Sequence, residues 1–485
     1  MKHRAFLTPI IFACVHHVNG QQASPREPTN FTLTGHITPD QIFSFVYVPF
    51  NVSADVTSIS VLQNYSFKGA GNSLDLGVFD PHGVAPIDSE TGFSGSRGWS
   101  GGFRNNFTIS AIDATPGYNA GPLLPGTWNV VLGPYATNRS GIDWTLDISL
   151  SYSAIDSPPW TPSLAPISKE PLPSPWKWLR GDFHMHTIYS DGRYLPNEQI
   201  AHALLYDLDF IFFSEHNTDS GNNNIGRWIP ANASNLLIGR AIEVTTRHGH
   251  WQAIGLERSQ QVEWRYTNSS NDTGFIDAAT QVRNSGGLVS VNHPFQNCSR
   301  CDWTLDWEHN DAIEVWNGRL DPLDEVAIQF WQSELVKGKR PTAIGGSDAH
   351  SPPDINGLPT TVVRVAGESS QASIVEGVKN GRVYLVEGPG MEIDFGVVYG
   401  SGRRAEIGDA VSKGDLGADA YASFSSTGFE GAHACFVSEK GYFQNVSIVS
   451  EQRIHQNVAG MDFIRVEIRN GSDTLLGLTN PVYLQ

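Results

Sequence analysis

The feature that most limits what this chain can become is a series of short apolar runs, each followed closely by residues of the metal-binding and acid–base kind. Phe210-Ile-Phe-Phe213 runs into Glu215-His216-Asn217, Leu288-Val-Ser-Val291 into Asn292-His293-Pro294, and Thr342-Ala-Ile344 into Ser347-Asp348-Ala-His350. Ala312-Ile-Glu-Val-Trp316 is a further run of the same type. Between them lie stretches with helical periodicity, at Asn197 to Tyr206, Ile276 to Asn284 and Leu323 to Lys337, the last with an apolar stripe along Val326, Phe330 and Val336. Strands alternating with helices imply a parallel α/β barrel or sheet, and in barrels the loops at the C-terminal strand ends converge on one site.

The flanking sequence has a different texture. From about Asn30 to Ser153, β-type runs such as Ile42-Phe-Ser-Phe-Val-Tyr-Val48 and Trp128-Asn-Val-Val-Leu132 are punctuated by Gly, Pro and Asn, which reads as an all-β sandwich. Pro158, Pro159, Pro162, Pro166, Pro171, Pro173 and Pro175 follow; such a stretch sustains neither a helix nor a central strand and is expected to be a semi-extended tether. The C-terminal region is again Gly-rich with strands such as Phe463-Ile-Arg-Val-Glu-Ile468. At 485 residues the chain exceeds one ordinary core, which stops growing near roughly 250–300 residues. The expected division is a leader over 1–20, a β-sandwich over 21–156, a Pro-rich linker over 157–177, the α/β unit over 178–386 and a β-rich region over 387–485.

Charge and targeting signals narrow the partners. A formal net charge of −18 repels nucleic-acid backbones and anionic membranes, which excludes general nucleic-acid binding. Lys2, His3 and Arg4 precede the apolar run Ala5 to Val15, with Val18 and Gly20 suited to a signal-peptidase site, so the chain is expected to be secreted. No later segment approaches the apolar length of about 18 residues that spans a bilayer. Sequons at Asn30, Asn51, Asn64, Asn106, Asn138, Asn232, Asn268, Asn271, Asn297, Asn445 and Asn470 imply N-linked glycans added on a eukaryotic secretory route. Cys14 lies in the leader, leaving Cys298, Cys301 and Cys435; the Cys298-x-x-Cys301 pair reads as a small loop disulfide or, less simply, as zinc or redox chemistry.

The chemistry gathers in Asp182-Phe-His184-Met-His186-Thr, Ser190-Asp191-Gly192, Glu215-His216-Asn217, Glu243, Gly249-His250, Asn292-His293-Pro294 and Ser347-Asp348-Ala-His350. Side chains on an extended segment alternate with period 2, so His184 and His186 can reach a common metal. Imidazoles and carboxylates without a matching set of thiolates suit zinc, manganese or iron, and a carboxylate such as Glu243 can bridge two ions.

The strings Arg180-Gly-Asp-Phe-His-Met-His-Thr-Ile-Tyr-Ser-Asp-Gly-Arg193, Glu243-Val-Thr-Thr, Gly249-His250, Gly287-Leu-Val-Ser-Val-Asn-His-Pro294, Glu314-Val-Trp-Asn-Gly318 and Gly345-Gly-Ser-Asp-Ala-His350 together resemble the polymerase and histidinol phosphatase (PHP) superfamily. Within it they are most similar to the branch that includes carbaryl-type carbamate hydrolases. The resemblance spans roughly Trp178 to Pro389 and implies a distorted seven-stranded β/α barrel holding two to three divalent ions. Carried over by position, it implies His184, His186, Glu243 and Asp348 on a first metal, Glu243, His250 and His293 on a second, and Asp191, His216 and His350 on a third. His248 lies two residues from His250 and shares its face of an extended segment, but the Gly-His context favours His250.

A water held between divalent ions becomes a nucleophile near neutral pH, so ester hydrolysis is the expected reaction, with Glu243 and Asp348 at its centre. Three divalent ions bring a charge of about +6 against about −4 from three carboxylates and a hydroxide, so an anionic phosphoester is the expected small-molecule substrate. Carboxylic or carbamic esters are the alternative that the carbaryl-type branch implies. Arg193, Asn217, Arg247 and Arg319 flank the motifs and are expected to orient substrate oxygens, Trp303 and Trp316 to wall the pocket or pack, and Asp182 and Glu215 to act as acceptors behind the ligands. A different class of reading is a secreted binding or cell-wall-associated glycoprotein with an inert barrel.

Overall fold

The computed structural model describes residues 26–88, 94–166, 170–266, 273–298, 301–449 and 453–485; the expected leader over 1–20 lies outside them. The fold is mixed α/β, rich in strands, with a large sheet and few helices.

Two antiparallel four-stranded sheets occupy the N-terminal region. One runs in the order Thr29–Ile37, Ile142–Ser151, Ser58–Tyr65, Asn106–Ser110, the other Val46–Val52, Gly126–Ala136, Ser73–Phe79, Ser96–Gly101. Alternation decides which faces are buried: Ile142, Trp144, Leu146, Ile148 and Leu150 point one way along their strand and meet Leu74, Leu76, Trp128 and Val130 from the other sheet in one core. The run expected as a strand from Ile42 begins four residues later, at Val46, because Pro39–Gln41 forms a short helical turn ahead of it.

The large sheet begins at Thr342–Gly346 and proceeds through Ala312–Asn317, Leu288–Asn292, Gly249–Ile254, Leu237–Thr246, Phe210–Phe213 and Glu170–Asp182 to Thr360–Ser369 and Val383–Val386. It curls until Thr342–Gly346 returns beside Thr360–Ser369. There the contact is made by side chains: Thr361 Oγ1 donates to the Gly345 carbonyl at 2.6 Å, and Asn480 ties Ala343 to Val383. The expected strand and helix alternation fails where Leu237–Thr246 and Gly249–Ile254 form an antiparallel hairpin with no helix between them, and again between Leu288–Asn292 and Ala312–Asn317, where the described residues hold none.

Helices Pro196–Leu205, Thr273–Asn284, Pro322–Val336 and Gln371–Lys379 cover the sheet. Pro322–Val336 buries Ala327, Ile328, Trp331 and Leu335 rather than the expected stripe, and Val326 and Val336 are exposed. Asp321 caps its N-terminus by accepting from the amides of Leu323 and Asp324, which fixes the helix one residue earlier than the apolar pattern suggests.

The Pro-rich tether expected over 157–177 is corrected from Glu170 onward. Glu170–Asp182 is a strand, paired along Thr360–Ser369. The stretch holding Pro173 and Pro175 has a partner on one side only and bulges away from it, six residues from Pro171 to Trp176 lying against three from Glu368 to Ala366, so the missing amides break no ladder. Upstream, Trp160 and Ser163 donate backbone amides to Ala111 and Asn223, tying this stretch to both regions it joins. At the far end, Leu475–Thr479 pairs with Val383–Val386, so the C-terminal strands prolong the large sheet. Among the described residues no helix is long and apolar enough to cross a membrane.

Candidate metal centre

Strand ends deliver the donors. His184 and His186 follow Glu170–Asp182, His216 follows Phe210–Phe213, Glu243 sits in Leu237–Thr246, His250 in Gly249–Ile254, His293 follows Leu288–Asn292, and Asp348 and His350 follow Thr342–Gly346. Three of these turns hold non-glycine residues at positive φ, namely Asn217 at 53°, His293 at 27° and Asp348 at 49°. Such backbone costs of order 1–3 kcal/mol per residue and clusters where side chains must be aimed. Gly249, at φ 106° and beside His250, has the ring of Trp303 where a Cβ would meet it at 2.8 Å.

Glu243 is the hub. Its two oxygens lie 3.4 Å from His184 Nε2, 3.4 Å from His186 Nε2, 2.9 Å from His216 Nδ1, 3.4 Å from His250 Nδ1 and 3.1 Å from His293 Nε2. Asp348 lies 3.2 Å from His184 Nε2 and 3.1 Å from His186 Nε2. Asp191 approaches His216 at 3.4 Å and His350 at 3.2 Å. Four overlapping sets of donors come within reach of common points: His186, Asp191, His216 and His350; His184, His186 and Asp348; His184, Glu243 and His293; and His250, His293 and Cys301. All nine expected ligands are therefore in one cluster. His186 sits with Asp191, His216 and His350 as well as with His184 and Asp348, while Glu243 groups with His184 and His293 rather than with His186 and Asp348 or with His250 as expected. Cys301 was not expected there, and its sulfur is joined to Cys298 in a disulfide. His248 turns instead to Thr304 Oγ1, at 3.3 Å.

Buried polar atoms that make no hydrogen bond mark the cluster: His184 Nε2, His186 Nε2, both ring nitrogens of His250, His293 Nδ1 and Asp348 Oδ1. Such atoms carry a desolvation cost unless something satisfies them. Burial alone would lower the pKa of His184, but Asp348, Glu314 and Glu243 outweigh it and hold the imidazole well above its usual range. The same contest raises His216 through Asp191 and Glu243, and lifts His350 to about 9 through Asp348 and Asp191. At His250 burial prevails over Glu243 and the pKa falls. Glu243 and Asp348, which burial would raise, are held well below the carboxylate range by His184 and its neighbours. A carboxylate facing five imidazoles, several of them stripped of hydrogen-bond partners, fits divalent cations in donor set and in burial.

Supporting contacts fix the imidazoles. Glu314 is the residue whose role the motifs left unassigned: its oxygens take His184 Nδ1 at 2.9 Å, the His293 amide at 3.0 Å and Asn317 Nδ2 at 3.1 Å. The signal was present as an acidic residue inside an apolar strand. Asp182 and Glu215, expected as acceptors behind the ligands, accept from the backbone and hydroxyls of the ligand-bearing loops rather than from imidazole nitrogens. Asp182 accepts the amides of His184, Ser347 and Gly357, and Glu215 accepts from the Thr187 amide and hydroxyl and from Ser190 Oγ. Thr245 Oγ1 meets His216 Nδ1, and the Asp348 carbonyl meets His350 Nδ1 at 2.7 Å.

Beside Asp191, His216 and His250 opens a cavity of about 410 Å³ whose opposite wall comes from the N-terminal sheets, through Phe45, Trp99, Phe103 and Tyr135. Of the residues expected to orient substrate, Asn217 and Arg247 line it; Arg193 and Arg319 are exposed and do not. Trp303 and Trp316 are buried, Trp303 against Phe275 and Trp316 in the core of the sheet, so packing is their role here.

No family model and no curated protein matches the chain. Among solved structures, a two-domain Bacteroides vulgatus protein containing a predicted PHP-like metal-dependent phosphoesterase aligns over 66% of this chain and 99% of its own, at 20% identity and TM-score 0.37. A candidate metal-dependent phosphoesterase from Bifidobacterium adolescentis covers 41% of this chain and 94% of its own, at 15% identity and TM-score 0.29. A Chromobacterium violaceum amidohydrolase with bound sulfate and no metal covers 42% and 96%, at 15% identity and TM-score 0.28.

Proposed function

We propose that this chain is a secreted, multinuclear metal-dependent hydrolase of the PHP type that cleaves phosphoesters. The observation that carries the reading is the buried Glu243 among five imidazoles whose nitrogens include several that make no hydrogen bond. His184, His186, Asp191, His216, Glu243, His250, His293, Asp348 and His350 would hold two to three zinc, manganese or iron ions. When bound, such ions activate water and polarise the oxygen under attack. The chain's own residues supply the rest. Glu243 and Asp348 balance cationic charge, Glu314 orients His184, and Asn217 and Arg247 face the cavity where substrate oxygens would lie. The cavity's neutral aromatic wall supports a second reading, hydrolysis of an aryl carboxylic or carbamic ester. Against an inert barrel stands the complete donor set.

The exposed side chains of Asn30, Asn51, Asn64, Asn106, Asn232 and Asn445 support N-glycosylation along a secretory route. In keeping with the sequence division, we take the N-terminal sheets as a β-sandwich domain and the large sheet as the body of a distorted barrel. The test of function is hydrolysis of paired aryl phosphate and aryl carbamate substrates at one pH, before and after chelation. Loss on chelation, restoration by manganese or zinc and competitive inhibition by inorganic phosphate are expected. A phosphate ester left intact, with no inhibition by phosphate ion, would transfer the assignment to carbonyl esters.

A further inference from the structure

The N-terminal sheets touch the metal centre at its most exposed donors. The turn after Ser96–Gly101 carries Arg104, whose guanidinium crosses to the loop bearing Asp191. Nη1 donates to the Ser190 carbonyl at 2.8 Å and Nη2 to the Ile188 carbonyl at 2.7 Å. Gly117, at φ 96°, lies so close to the same loop that an added Cβ would stand 3.1 Å from the Tyr189 carbonyl. A second set of bonds grips the segment after His216: Thr218 Oγ1 donates to the Gly117 carbonyl at 2.9 Å, Ser220 Oγ to the Tyr118 carbonyl at 2.9 Å, and Asn119 Nδ2 to Asp219 Oδ1 at 2.7 Å. Thr218, Asp219 and Ser220 are all buried by this contact.

These ties are selective. Asp191 and His216 belong to the donor set completed by His186 and His350. Glu243, by contrast, takes its supports from within the large sheet and its loops, from Asn292 and the neighbouring imidazoles, and His184 and His293 are held by Glu314. A bidentate guanidinium on two carbonyls of one loop, two residues apart, fixes both position and orientation, which a single donor does not.

Building on the proposed metal function, we infer that the N-terminal sheets are a structural part of the metal centre, and that Arg104 is a positioning residue. Through the carbonyls of Ile188 and Ser190 it holds Asp191 beside His216 and His350, so that this donor set forms fully only while the N-terminal region is docked. Groups that orient metal ligands from behind are worth about 10- to 100-fold in metal affinity. Arg104→Ala should weaken one class of ion by that factor and leave the more tightly held class unchanged.

The experiment is a calorimetric zinc titration of the full-length protein after chelation, with cobalt(II) absorption as a spectroscopic readout of each donor set. The unmodified chain is compared with Arg104→Ala, Arg104→Lys and Thr218→Val, the last of which loosens the His216 segment independently. Selective weakening of one ion class in Arg104→Ala, partial recovery in Arg104→Lys and weakening of the same class in Thr218→Val support the clamp. Isotherms of Arg104→Ala and the unmodified chain that superimpose, or equal weakening of every class with a lower Tm of the metal-free protein, would overturn it. An unmodified chain that takes up no ion would overturn the metal function itself, and the clamp with it.

Discussion

The two ends of the donor cluster are built differently. His184, Glu243 and His293 have side-chain exposures of 0%, 1% and 4%, and they sit in or directly beside strands of the large sheet. Asp191, His216 and His350, at 37%, 19% and 32%, stand on loops, and Asp191 and His216 line the cavity. Burying a carboxylate and imidazoles without a compensating ion is costly, so the inner end is suited to hold its ion tightly. The outer end pays less for standing empty and meets whatever enters the cavity. Rigid strands with Glu314 behind them serve the first, and loops braced by the N-terminal sheets serve the second.

The largest expected effect falls on the hub that both ends share. Glu243→Gln should lower kcat/KM on the order of a thousandfold or more, comparable with removal of a key electrostatic group. It should also release more than one ion, measured by mass spectrometry of the metal content. Full occupancy in that variant would break the idea of a shared hub. Next, Glu314→Gln should cost about 10- to 100-fold in affinity at the inner end, because Gln keeps one acceptor oxygen where Glu314 uses two, puts a donor in place of the other and removes the charge beside His184. His216→Ala should release a single ion from the outer end with the inner end still filled. Equal losses in these two variants would erase the distinction between the ends.

A smaller effect is expected from pH, and its sign follows from His350, raised to about 9 in the metal-free protein against an ordinary value of 6.5. The folded state binds this proton more tightly than the unfolded chain. Its contribution to stability is therefore complete below about pH 6.5 and is lost as pH rises through about 9. Uptake of an ion at the outer end must displace the same proton, so affinity there should rise with pH up to about 9. Thermal melts of metal-free protein between pH 6.5 and 9, alongside zinc titrations, check both slopes. A Tm that climbs over that interval in the metal-free chain would contradict the charge pairing at the outer end.

The donors were legible in the sequence, but the contrast between the two ends was not: short apolar runs read as strands, the Phe210–Phe213 run leading to His216 and the Leu288–Val291 run to His293. The Gly-His pair pointed to His250, which lies beside Glu243, over His248, which meets Thr304. What stayed hidden depended on tertiary placement. Glu314 reads as one acidic residue within an apolar strand until the sheet brings it against His184. Arg104 lies about eighty residues from the loop it grips, with no local pattern to announce it. The prolines at 171, 173 and 175 argued for a tether, since sequence alone does not reveal that one side of that strand is open. In Pro322–Val336 the apolar stripe was misplaced because Trp331 and Leu335, not Val326 and Val336, face the sheet.

The central claim is that this cluster is a metal centre, and metal analysis of the purified protein tests it most directly. The account predicts two to three transition-metal ions per chain, removable by chelation together with hydrolytic activity and restored with it on adding zinc or manganese. A chain that carries no such ion, takes none up on titration and hydrolyses its ester equally well after exhaustive chelation would contradict it.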